Sequence, residues 1–162
     1  MPTRILIADD SPPMRVALRS LLSRQGWEVL EAENGMEAIA KAQEIKPEIV
    51  ILDLAMPQVD GLTASRRITE LLPDIPVLMY TMHFTGQLDI EARKFGVRRM
   101  VAKPESNVLV AAIRELLNKE TRSNMAAPEA PPLTSIPRSV DESRLETAPS
   151  LGRGNGTDGI LT

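Results

Sequence analysis

Asp9 and Asp10, in the stretch RILIADDSPP (4–13), place two carboxylates directly behind an apolar run. A third, Asp53, follows another apolar run in ILDLAMPQVDG (51–61). Thr81 closes a third such run, and Lys103, followed by Pro104, closes a fourth. By itself the Asp9–Asp10 pair reads equally well as a turn that caps a helix. Taken together, the five residues suggest a site. Carboxylates about 5 Å apart repel by roughly 3 kcal/mol per pair at an effective dielectric near 20. Three of them converging would require cations, and Lys103 supplies one positive charge. Oxygen donors without His or Cys favour Mg²⁺ or Mn²⁺ over zinc. A carboxylate is also a nucleophile in aspartyl-phosphate chemistry. A metal, a lysine and a hydroxyl gathered around one aspartate would stabilise phosphoryl transfer onto it.

Convergence depends on the elements that carry these residues. Strand candidates are 4–8, 27–32, 48–54, 75–81 and 98–102, separated by helix-length segments. Near-continuous apolar runs such as Ile49–Leu52 suit strands covered on both faces. Ser11 is a candidate N-cap, with Pro12 and Pro13 in the first turn and Met14, Ala17, Leu18, Leu21 and Leu22 along one face up to Gly26. Ala38, Ile39, Ala42 and Ile45 mark a second helix before Pro47, and Ala64, Ile68, Leu71 and Leu72 a third before Pro73. A fourth carries Leu88, Ala92 and Phe95 and ends at Gly96; a fifth carries Leu109, Ala112, Ile113, Leu116 and Leu117. Strict strand–helix alternation predicts an α/β fold with a five-stranded parallel sheet, doubly wound and flavodoxin-like, in the order 2-1-3-4-5. In such sheets the site lies beyond the carboxyl ends of the strands, where Asp9, Asp10, Asp53, Thr81 and Lys103 all fall.

Composition sets the boundaries. The 162 residues contain no cysteine and one histidine and carry a formal net charge of −3. Disulfides and thiolate metal sites are excluded, and a reducing cytoplasm is the expected setting. No apolar run reaches the eighteen residues that a membrane-spanning helix needs. From Ser123 onward Pro, Gly, Ser and Thr dominate and aromatic residues are absent. The expected organisation is therefore a domain over 1–122 and a disordered tail over 123–162.

The elements DD (9–10), DLAMPQVDG (53–61), Thr81 and KP (103–104) appear in the order found in receiver domains of bacterial response regulators, and residues 3 to 120 resemble that family. The resemblance implies a single-domain response regulator of a two-component system. Asp53 would accept a phosphoryl group from the phosphohistidine of a sensor histidine kinase or histidine phosphotransfer protein. Asp10, Asp53 and the carbonyl of Ala55 would bind Mg²⁺, with Asp9 helping through water. Lys103 would pair with the phosphoryl oxygens, its following peptide often cis, and Thr81 would be the switch hydroxyl. Output would run through protein contacts or onward phosphorelay, with phosphorylation-dependent dimerisation left open. No catalysis beyond the domain's own phosphoryl transfer and slow dephosphorylation is implied.

Some positions depart from the family pattern. Met100 stands three residues before the lysine, where an aromatic residue often sits, so an aromatic rotamer switch is unavailable. Met82 follows Thr81 where a small residue is usual, and is expected to narrow access to Asp53 and slow the exchange of phosphate with small donors and water. His83 could carry phosphate itself, although phosphotransfer histidines normally lie on exposed helices and this one follows the fourth strand; it otherwise tunes water access together with Ala55 or is an ordinary loop residue. Arg98 and Arg99 read as a solvated strand edge or a partner contact, Trp27 as packing near the sheet edge, and Arg66 and Arg67 as an exposed helix face. A receiver that only binds proteins is disfavoured by the complete acid, hydroxyl and lysine set. An aspartyl-phosphate hydrolase generally has a second acid two residues after its nucleophile, and Ala55 occupies that position. Neither glycine-rich nucleotide motif is present. Direct DNA binding is disfavoured because no helix-turn-helix follows residue 122 and the tail has three Arg against five Asp or Glu.

Overall fold

Residues 1–125 are described by the structure, a computed structural model. The expected tail lies almost wholly outside the described residues. Ten elements alternate without exception: β1 (Arg4–Ala8), α1 (Pro12–Ser23), β2 (Glu28–Ala32), α2 (Gly35–Ile45), β3 (Ile49–Leu52), α3 (Gly61–Leu71), β4 (Val77–Thr81), α4 (Gly86–Lys94), β5 (Val97–Ala102) and α5 (Ser106–Met125). The strands form one parallel sheet in the order β2-β1-β3-β4-β5, the order the alternation predicts.

Period-two alternation divides the strand side chains between two helical layers. Ile5, Ile7, Ile49, Ile51, Leu78 and Tyr80 face α1 and α5, where Leu18, Leu22, Leu109 and Ile113 cover them. Leu6, Ala8, Val50, Leu52 and Val77 face α2 and α3, against Ala38, Ala42, Ala64 and Ile68. A smaller cluster of Met79, Ala92, Val97 and Met100 seats α4. Cα pairing of Ile5 with Ile49 and Leu6 with Val50 keeps both faces in phase across the central strands. Met100 is thus a packed residue of the α4 cluster, and Trp27 packs against the α1/α5 layer beneath the Arg114 guanidinium.

Local chemistry adjusts the expected boundaries. β4 begins at Val77 because Pro76 has no N–H for a ladder bond, although its carbonyl accepts from Val50 N at 3.0 Å. β3 is shorter than 48–54, stopping at Leu52 where the chain turns toward the site. Ser11 occupies the N-cap of α1, but its side chain makes no capping bond. Pro12 and Pro13 take the first two positions, which removes the N2 amide as a partner for it. Ala17, assigned by its spacing to the apolar face of α1, is exposed. Asn34, Asp60 and Thr85 cap α2, α3 and α4 by accepting from Glu37, Thr63 and Leu88 amides at 2.8, 2.8 and 3.1 Å.

Arg98 and Arg99 tie β5 to α5. Arg98 pairs with Glu120 and donates to the Pro73 carbonyl, and Arg99 meets Glu115 at 2.8 Å. Arg66 and Arg67 lie exposed on α3 and both reach Glu70.

Gly61, at the start of α3, holds the loop after β3 against its own strand. Its N–H donates to Leu54 O at 2.8 Å, and a Cβ there would stand 2.2 Å from the Asp53 carbonyl oxygen. No side chain fits without moving the backbone that carries Asp53. Gly61→Ala should therefore cost about 1–3 kcal/mol of stability by overpacking. Urea denaturation measures this loss, and an unchanged midpoint would show that the loop yields freely.

Candidate functional site

The rim of the sheet is assembled by backbone bonds that continue past the strand ends. Asp9 N donates to Ala32 O at 3.2 Å, Asp53 N to Ala8 O at 2.9 Å and Lys103 N to Thr81 O at 2.9 Å. The first two bonds join the ends of β2, β1 and β3, the third joins those of β4 and β5, and the β3–β4 pairing brings the two groups to one edge. Lys103 Nζ lies 2.5 Å from Asp9 Oδ2 and 3.3 Å from Asp53 Oδ2. Ligand oxygens of Asp9, Asp10 and Asp53 all lie within 4.8 Å of one another.

The three acids occupy different environments. Asp9 is buried and is held by Lys103 on one oxygen and by the Ser11 amide, at 2.9 Å, on the other. Asp53 is half-buried, and Asp10 is exposed. Burial pushes the Asp53 carboxyl above its ordinary value; Lys103 pulls it down, and the charge on Asp9 pushes it up again. The Lys103 side chain is 4 % exposed, so its ammonium is almost entirely given over to these acids, with the Tyr80 ring centroid 5.7 Å away. Three carboxylates against one ammonium leave the cluster electron-rich, and every side-chain donor is a hard oxygen. That donor set fits a small divalent cation such as Mg²⁺.

Thr81 is fully buried at the end of β4. Its hydroxyl oxygen accepts from the His83 amide at 3.2 Å, and no described hydrogen bond links it to the acids. Ala55 lies exposed in the loop after β3, two residues beyond Asp53. Met82 and His83 are both exposed beside this rim, Met82 at 69 %. Sequence reasoning did not single out Arg15, whose guanidinium donates to the Asp9 carbonyl at 2.8 Å and to Glu33 at 3.2 Å. Its only signal was position: an Arg one helical turn inside α1, beside the acid pair.

The family model for the response regulator receiver domain matches residues 5–114. The chain belongs to this family. It is 35% identical to chemotaxis protein CheY of Thermotoga maritima over 123 residues, which are 75% of this chain and 100% of CheY. It is 38% identical over 120 residues to a protein-glutamate methylesterase/protein-glutamine glutaminase of Archaeoglobus fulgidus, covering 72% of this chain. The match spans only 34% of that relative's length. Among solved structures, a two-component response regulator of the LuxR family from Aurantimonas superposes with a TM-score of 0.70 at 32% identity, over 74% of this chain and 87% of the other. As a receiver, the domain acts in phosphorylation-dependent two-component signalling, with a histidine kinase and an output protein as its kinds of partner. Receivers bind Mg²⁺ at an acidic pocket, and the Asp9–Asp10–Asp53 cluster is where this receiver could hold one. Among the described residues no helix is long and apolar enough to cross a membrane.

The raised Asp53 carboxyl has a stability consequence whose sign is definite. A carboxyl whose folded value lies above its unfolded one contributes stability below the unfolded value, and loses it as pH rises through the folded value. In metal-free buffer Asp53→Asn should therefore match the parent below about the ordinary value of 3.8 and gain on it as pH rises above that. Thermal midpoints recorded across pH with chelator check this. A variant no more stable than the parent at neutral pH would contradict the burial assignment.

Proposed function

We propose that the domain accepts a phosphoryl group on Asp53 from the phosphohistidine of a sensor histidine kinase or histidine phosphotransfer protein. The phosphorylated form then signals through protein contacts or passes the group onward. The observation that carries this reading is the buried Lys103 ammonium lying between Asp9 and Asp53, with the exposed Asp10 completing the acid group.

Each residue then has a defined task. Asp53 Oδ attacks phosphorus; the new O–P bond forms as the P–N bond to the donor imidazole breaks, and the imidazole leaves with its electron pair. Lys103, already 3.3 Å from Asp53, stays charged and meets the negative charge carried in on the phosphoryl oxygens. Asp10 and Asp53, with the Ala55 carbonyl, would hold Mg²⁺, and Asp9 would act through water. When bound, the ion supplies charge neutralisation between carboxylates and phosphoryl oxygens. Thr81 offers its hydroxyl to the new phosphate after releasing the His83 amide, and that displacement would carry the signal toward α4 and β5. Because the chain spans a third of the methylesterase relative's length, that protein's name implies no hydrolysis here.

Incubation with acetyl phosphate and Mg²⁺ should add one phosphoryl group by mass. Neither Asp53→Asn nor a chelated sample should gain it. Modification persisting in Asp53→Asn would move the acceptor elsewhere. Met82→Ala should speed both gain of phosphate from acetyl phosphate and its loss to water, by severalfold, if the Met82 side chain narrows the approach to Asp53. Unchanged rates in both directions would remove that role from Met82.

A further inference from the structure

We infer that Arg15 is a positioning residue for Asp10, aiming its carboxylate at the divalent cation by clamping the Asp9–Asp10 peptide. The inference rests on the reading of Asp9, Asp10 and Asp53 as the Mg²⁺ site.

The side chain of Asp9 needs no help from Arg15, since Lys103 and the Ser11 amide already occupy both of its oxygens. Asp10 differs. It is exposed, and no side-chain hydrogen bond or ion pair holds its carboxylate among the described residues. The direction in which that carboxylate leaves the chain therefore depends on the backbone to which it is attached. The peptide plane that bears the Asp9 carbonyl also bears the Asp10 nitrogen, so holding it fixes where Asp10 Cα lies; the next plane is held by the Ser11 amide on Asp9 Oδ1, and the two planes together set the direction of Asp10 Cβ.

Arg15 grips that plane. Its Nη1 donates to the Asp9 carbonyl at 2.8 Å, and its Nη2 reaches Glu33 Oε1 at 3.2 Å on the loop after β2. The Arg15 side chain is 12 % exposed, whereas Arg19, one turn further along α1, is 51 % exposed. Glu33 itself is 70 % exposed, so the ion pair with it contributes little stability. The pair instead keeps the planar guanidinium edge-on to the carbonyl, since two donors of one rigid fork must be satisfied together. α1 holds the base of the side chain, with Arg15 N donating to Ser11 O at 3.0 Å. The clamp thus spans β1, α1 and the β2–α2 loop around a single peptide.

A positioning role and a purely electrostatic one have opposite signs. Arg15 places a positive charge beside a cation site, so removing that charge alone would strengthen Mg²⁺ binding. Removing an orienting partner weakens it, by about tenfold where such partners have been deleted around metal sites. Arg15→Gln removes the charge and the fork. Arg15→Lys keeps the charge, but its single ammonium cannot reproduce the planar fork.

The test follows amide chemical shifts of Asp10 and Asp53 in the full chain during titration with MgCl₂, each variant held well below its own thermal midpoint. The expected result is a half-saturating Mg²⁺ concentration about tenfold higher in both Arg15→Gln and Arg15→Lys, with the full shift still reached. An unchanged or lower half-saturating concentration in either variant overturns the inference. Arg15→Lys carries the test if Arg15→Gln does not fold. A parent chain that shows no saturable Mg²⁺-dependent shift refutes the site reading itself, and this inference falls with it. Saturation in the parent with no change in the variants refutes the inference alone.

Discussion

A buried ammonium set between carboxylates governs the architecture of this rim. Withdrawing Lys103 and Asp9 from water costs several kcal/mol per charge, and only close mutual contact offsets it. The structure meets that condition at 2.5 Å, with the Ser11 amide satisfying the second oxygen of Asp9. Asp53 shares the same ammonium at a longer 3.3 Å, and Asp10 does not share it. One cation is thus spread over an acid group that it cannot neutralise. The remaining negative charge is what makes the edge receptive to a divalent ion.

That arrangement places demands on the sheet. Lys103 and Asp9 are 94 residues apart. They meet because β1 and β3 pair directly, β4 and β5 follow on the β3 side, and the Lys103 amide continues the ladder onto Thr81. A register slip of one residue would turn Ile5 and Ile7 toward the wrong helical layer and displace the acids from the ammonium at the same time. Core packing and site geometry are therefore specified by the same pairing. Gly61 adds a local constraint, since the approach of α3 to the Asp53 carbonyl leaves no room for a Cβ.

Much of this was readable from residue order. Apolar runs with β-branched residues marked the central strands, alternation marked the edge strand β2, and amphipathic spacing marked every helix, because these patterns report burial directly. Strict alternation indicated a doubly wound parallel sheet, and 2-1-3-4-5 is the common order for one of five strands. The boundaries at Pro76 and Leu52 were blurred because apolar character continues beyond the last ladder bond. The bare Ser11 cap and the exposed Ala17 were missed for a related reason. Spacing identifies a face, but neighbouring prolines and the width of the covering layer determine which groups are used. Arg98 and Arg99 had no sequence signal pointing to Glu120 and Glu115, since pairing across elements depends on how α5 lies against β5.

The sequence by itself determined which side chains stand at the ends of the strands, and therefore the kind of chemistry available: three carboxylates with hard oxygen donors, one hydroxyl and one ammonium. Only the tertiary structure decided how those groups divide the work. Burial differs among three chemically identical carboxylates, leaving Asp9 as the lysine's partner, Asp53 half-covered with a raised proton affinity and Asp10 open to solvent. Solvent access and through-space distance belong to the packed chain, and no pattern of residue types along it encodes them.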